Sequence, residues 1–242
     1  RASWQALDEV TRDAQRNIHF NRLGLGEDVS DGKPLIEMTP DCADNPFFLR
    51  AYFAWKLGLP FGFHETSWGG VGVPPRSERW WNNDILSGAG DPLRSFARML
   101  PMVKNVVHAG NGRTAFKTEE SDYYPLPLTR DDLRPGSVFA DPYGHTLTIV
   151  RWEPQMGKRP GQLLAVDAQP DGTIGIKRFW RGNFLFATEE VVGEPGFKAF
   201  RPIILADGRP RLLTNEEISR SSDYGNFSLQ QRNMPPAAFY KT

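Results

Sequence analysis

The hydrophobic period of this chain changes once, and that change limits the folds open to it. Apolar residues first recur three or four apart. From Ser3 to Phe20 they are Trp4, Leu7, Val10, Ala14 and Ile18, the stripe of an amphipathic helix. From Asn45 to Leu57 they are Phe48, Ala51, Tyr52 and Trp55, with Gly58 as the stop. Asp91-Pro92 reads as an N-cap followed by proline at the first helical position, opening a helix to His108 that Pro101 must kink. Beyond residue 130 the period falls to two. Gly136–Ala140, Thr146–Trp152, Leu163–Asp167, Thr173–Trp180 and Ala199–Leu205 are short β-branched or aromatic runs separated by Gly, Pro and Asp, as in an antiparallel sheet. Thr214 and Glu217 form the capping box of a last helix to Arg220. Helices followed by strands, without βαβ alternation, predict an α+β fold with one core, N-terminal helices packed on an antiparallel sheet. We read residues 1–242 as a single domain: a lead-in to 40, a core over 41–180 with an insertion at 60–90, and a C-terminal strand, helix and tail over 181–242.

Composition removes several functions. The 29 basic residues equal the 29 acidic ones, so no overall field recruits nucleic acid or an anionic membrane. No run approaches the ~18 apolar residues of a spanning helix, and the charged, amphipathic opening is unlike a signal peptide. The single cysteine, Cys42, excludes an internal disulfide. The four histidines, at 19, 64, 108 and 145, show no metal-ligand spacing, and no phosphate loop, dinucleotide fingerprint or serine elbow occurs. We expect neither metal nor cofactor. Oligomeric state is left open.

What remains is a thiol with a base and an acid downstream. Cys42 precedes the aromatic helix, where a helix N-terminus lowers a thiol pKa and offers donors to an oxyanion. Pro46 lacks an N–H, so the regular helix is expected to start after Ala43 and to leave Cys42 outside its first turn. His145 opens one strand and Asp167 closes the next. If those strands pair about residue 156, the two face each other, and the carboxylate can orient the imidazole towards the thiol. Read singly, each residue has a plainer role: Cys42 as a small apolar residue, His145 as a strand-end cap, Asp167 as a turn residue.

Three patches resemble the papain-like cysteine enzymes. Asp41-Cys42-Ala43-Asp44 before a helix, then Pro135-Gly136-Ser137-Val138-Phe139 and the strand after Gly144-His145, is similar to the NlpC-type cell-wall peptidases, with Ala43-Asp44 in place of their Ser-Gly. Leu57-Gly58-Leu59-Pro60 and Val166-Asp167-Ala168 are similar to transglutaminase-like cores. Both likenesses imply the same triad, Cys42, His145 and Asp167. The first implies a papain-like fold, hydrolysis of peptide or amide bonds in peptidoglycan-like substrates and a periplasmic or secreted address. The second implies acyl transfer to an amine. A resting thiolate–imidazolium pair would lower the Cys42 pKa, raise that of His145 and give a bell-shaped pH profile.

The aromatic residues Trp68, Trp80, Trp81, Tyr123 and Tyr124 have two readings, a groove that stacks on sugar or peptide, or core. A groove with an inert triad would make the chain a glycan- or peptide-binding module, the reading from outside enzymology.

Overall fold

The computed structural model describes residues 12–29, 39–83 and 92–241. Its elements run α1 (Asp44–Leu57), β1 (Gly62–Thr66), β2 (Ser77–Asn82), α2 (Pro92–Val106), β3 (Tyr123–Pro125), β4 (Val138–Ala140), β5 (Thr146–Glu153), β6 (Gln162–Ala168), β7 (Ile174–Arg178), β8 (Gly196–Phe200), β9 (Ile203–Ala206), β10 (Arg209–Leu212), α3 (Asn215–Arg220) and α4 (Pro236–Phe239). The class is α+β. Six strands form an antiparallel sheet in the order β3-β8-β4-β5-β6-β7, and β1–β2 and β9–β10 are separate hairpins. No helix among the described residues is long and apolar enough to cross a membrane.

Successive residues of a strand point to opposite faces, and they sort the core into two layers. Tyr123 and Val138 join one cluster with Phe47, Phe48, Ala51 and Tyr52 of α1 and Phe96, Leu100 and Val103 of α2. Their neighbours Tyr124 and Phe139 join the other, with Leu147, Ile149, Leu163, Ala165 and Phe197 of the sheet and Phe184, Leu213, Ile218 and Phe239 of the C-terminal third. Helices therefore cover one face and the C-terminal segments the other.

Alternation is interrupted once where it matters. Ile149 pairs with Ala165 but Arg151 pairs with Leu164, so Val150 is an extra residue, a bulge in β5. Leu147 and Ile149 before it, and Trp152 after it, consequently all pack on the second cluster.

Local chemistry explains where the sequence reading and the structure part. Residues 3–11 of the expected first helix lie outside the described residues. From Arg12 the chain forms turns instead, and Ile18 is 88% exposed. Asp13 Oδ1 accepts the Gln15 N–H and Asn17 Oδ1 the His19 N–H, and such side-chain turns compete with helical bonding. Asp91 also lies outside the described residues. The α2 helix stops at Val106, and the His108 N–H is taken by Asn111 Oδ1 at 3.1 Å. Residues 60–90, read as a loop, contain the β1–β2 hairpin. The expected strand Ala199–Leu205 is broken at Arg201-Pro202, because proline cannot donate to a ladder and the Arg201 guanidinium is buried on the carbonyls of Ser121, Leu213 and Thr118. Asp207 and Gly208, at φ of 51° and 76°, then form the two-residue turn of β9–β10.

Lys56, near the end of α1, is buried on Glu27 Oε1 at 2.8 Å and on Asp28 Oδ2. Glu27 in turn accepts the Leu23 and Leu25 N–H groups, and against the cost of burial the Lys56 bond, followed by these, lowers its pKa to about 2. This ion cluster fastens residues 21–28 to the helix.

Candidate active site

Cys42 sits in a turn that leads into α1. Asn45 N donates to Asp41 O at 3.0 Å, a helical bond, and Asp41 Oδ1 accepts the Ala43 and Asp44 N–H groups at 2.9 and 3.1 Å. The Asp44 carboxylate reaches back to the Asp41 N–H at 3.4 Å. Asp41 thus caps this turn, and Cys42 falls within it although the regular helix starts at Asp44 as expected. The cap uses the N–H groups that were candidates for an oxyanion. It also sets a carboxylate beside the thiol.

The other two residues meet at the end of the sheet. Thr148 pairs with Val166 and Ile149 with Ala165, which places Leu147, not His145, across from Asp167. The register differs from a hairpin centred on residue 156 by two residues. An even shift preserves the face, so His145 and Asp167 become diagonal neighbours rather than direct ones. His145 Nε2 touches Asp167 Oδ1. The contact is an ion-pair distance without an aligned hydrogen bond, because Oδ1 has no donor that satisfies it. Oδ2 is held by Gln169 Nε2 and by Lys177 Nζ at 3.3 Å. Asp167 is buried, while the His145 side chain is 31% exposed.

The sulfur occupies the gap between β5 and β6. Ile149 N donates to Ser137 O and Asp141 N to His145 O, so the odd residues of β5 bond to the β4 side. Even residues then point towards β6. The β5–β6 ladder ends at Thr148 and Val166, and the Thr146 N–H beyond it, like that of Ala43, acts to lower the Cys42 pKa. Sγ also lies 3.9 Å from Gly144 O. Gly144 immediately precedes His145. No hydrogen bond joins the sulfur to the imidazole. Burial pushes the Cys42 pKa up to about 11; the Asp41 and Asp167 carboxylates also raise it, while the Thr146 and Ala43 N–H groups oppose the rise. That direction is opposite to the lowering expected of the thiol in a thiolate–imidazolium pair.

The aromatic candidates divide. Trp68 is 70% exposed and stacks on His108, with ring centroids 3.7 Å apart and planes 12° from parallel. His108 accepts the Gly110 N–H at Nδ1 and meets Thr66 O at Nε2, and burial lowers its pKa, so the ring under Trp68 is neutral. Its neighbour Ala109 packs beside Gly144, where an added Cβ would lie 3.8 Å from that of Ala109. Trp80 and Trp81 are half-buried, and Arg79 lies 3.7 Å over the Trp81 ring. Tyr123 and Tyr124 do not line a groove. Tyr123 is buried between Phe47 and Phe200, and Tyr124 is buried with its hydroxyl donating to Gly225 O at 2.9 Å.

Sequence reasoning missed Lys177, which only the β6–β7 register brings to Asp167, and a second histidine–carboxylate pair. His64 Nδ1 lies 2.8 Å from Asp122 Oδ1, and Asn111 Nδ2 bridges Asp122 Oδ2 and His64 O at 2.9 and 2.8 Å. That pair ties β1 to β3 with no thiol or hydroxyl nucleophile bonded to it, and its 58-residue separation leaves no local signal. No family model, curated protein or solved structure matches the chain.

Proposed function

We propose that the chain is a papain-like cysteine hydrolase that cleaves peptide or amide bonds, with cell-wall peptides as its substrate class. The observation that supports this reading is the His145–Asp167 contact across the end of the β5–β6 ladder, with the Cys42 sulfur in the gap beside it. Asp167 holds Nε2, which leaves Nδ1 as the nitrogen for the thiol. Substrate binding and a small rotation of the half-exposed imidazole bring Nδ1 to Sγ. Nδ1 then takes the thiol proton as sulfur attacks the carbonyl carbon, and returns it to the leaving amine. Water, deprotonated by the same nitrogen, releases the acyl group. Trp68, exposed over His108, is assigned to substrate stacking with the half-buried Trp80 and Trp81.

The test is digestion of purified peptidoglycan by the wild-type chain and by Cys42→Ala, with mass analysis of the fragments. New termini at peptide stems, reduced at least about 10³-fold in Cys42→Ala, are expected. Identical digests from both proteins would refute the nucleophile. Repeating the digest with a primary amine present separates hydrolysis from the transglutaminase-like alternative, which incorporates the amine.

The sulfur's hydrogen bond to Gly144 O rather than to the imidazole favours a second reading, a glycan- or peptide-binding module with an inert triad. Binding of peptidoglycan fragments without turnover, undiminished in Cys42→Ala and lost in Trp68→Ala, is its signature.

A further inference from the structure

The β5–β6 hairpin has a second end, about seven residues from His145, and a cavity of about 520 Å³ opens there. Leu163 and Phe197 form its floor, and the rings of Trp152, Phe179 and Trp180 stand around it. These walls are fixed before any ligand arrives. Trp152 Nε1 donates to Leu133 O at 2.9 Å, the Phe179 N–H donates to Leu163 O at 2.8 Å, and Trp180 O accepts the N–H groups of Asn183 and Phe184. The volume is that of a site for one small organic molecule.

Charge at the lining narrows its chemistry. Arg130 and Arg178 both border the cavity and are exposed, and neither guanidinium has a hydrogen bond or ion pair among the described residues. The nearby carboxylate of Glu153 is committed elsewhere, to Arg151 at 2.8 Å and Arg159 at 3.0 Å. An apolar, ring-walled cavity bordered by two uncompensated guanidinium groups selects a flat apolar body that carries an anion. We propose that this cavity is a binding site for a small organic anion, a one- or two-ring apolar body bearing a single carboxylate. The site is independent of the Cys42 reading, since it lies at the opposite end of the hairpin and shares no residue with the triad.

The test uses 2-naphthoate and its uncharged analogue 2-naphthamide as probes, read by titration calorimetry and by tryptophan fluorescence of the full chain. Naphthoate should bind about tenfold more tightly than naphthamide at low salt, with the preference shrinking as salt is added. In Arg130→Gln/Arg178→Gln the two probes should bind alike, with the melting temperature unchanged because both side chains are exposed. Trp180→Ala should weaken both probes. Cys42→Ala should bind naphthoate as the wild type does, which separates this site from the triad. Absence of binding at millimolar probe, equal affinity for the two probes in the wild type, a preference that survives the double arginine variant, or loss of binding in Cys42→Ala would each overturn the proposal.

Discussion

Asp41 does two things at once to Cys42. Its Oδ1 organises the turn that carries the thiol, and its charge makes ionisation of that thiol harder. Asp41→Asn separates the two, because an amide oxygen accepts the same N–H groups without the charge. The thiol pKa should fall, and the rate of iodoacetamide labelling at pH 8 should rise roughly threefold, the effect of about half a pKa unit. An unchanged rate would show that burial alone holds the proton on sulfur. The carboxylate was visible in the sequence as the residue before the cysteine, but its electrostatic sense was not. Proximity to a helix N-terminus suggested a lowered pKa, and burial reversed it, with the capping residue that makes such a terminus adding to the rise.

At the level of elements, Lys56 shows how a helix end fixes a segment without regular structure. Its ammonium is fully buried between two carboxylates, so Lys56→Met leaves Glu27 and Asp28 buried and uncompensated. We expect a loss of about 3–5 kcal/mol in urea denaturation, far above the cost of breaking a surface pair. A loss below about 1 kcal/mol would mean that the carboxylates rehydrate freely. Nothing in the sequence announces this cluster, since a lysine one residue before the end of a helix reads as a charge placed for the helix dipole. The β5–β6 hairpin was more legible. Alternating Leu147, Ile149, Leu163 and Ala165 fixed the buried face, and that face brought His145 and Asp167 together. The register escaped because the loop is not centred on residue 156: Glu153 pairs with Gln162, and the extra residue at Val150 takes back only part of that offset. Similarly, α1 and the capping box of α3 were readable from caps and periodicity, whereas β1–β2 was hidden by glycines, prolines and tryptophans that resemble a loop. Tyr123 and Tyr124 were ambiguous for the same kind of reason: an aromatic pair does not reveal whether its strand is central or peripheral.

Across the whole molecule, two buried ionisable groups give stability an unusual dependence on pH. Burial, reinforced by Asp41, raises Asp44 to about 7, and burial lowers Lys198 to about 7, where its Nζ donates to Thr114 O at 2.9 Å. Unfolded Asp ionises near 3.9 and unfolded Lys near 10.4. The Asp44 contribution is therefore complete below about pH 4 and lost as pH climbs to 7, while the Lys198 contribution is lost below 7 and recovered towards 10.4. The two together produce a trough in stability around neutrality. Lys198→Met should raise the denaturation midpoint at pH 6–7, by an amount on the order of 1 kcal/mol, and leave it nearly unchanged at pH 10. Parallel wild-type and variant curves over this range would remove Lys198 from the account. A final consequence concerns the odd residue in β5. Before Val150, odd-numbered side chains share the face of Leu147; after it, even-numbered ones do, which is why Trp152 reaches Leu133. The hairpin thus carries two phases joined at a single position. Deleting that position would make Ile149–Ala165 and Arg151–Leu164 consecutive pairs, so the hairpin would run in one phase throughout and keep both its histidine–aspartate end and its aromatic cavity.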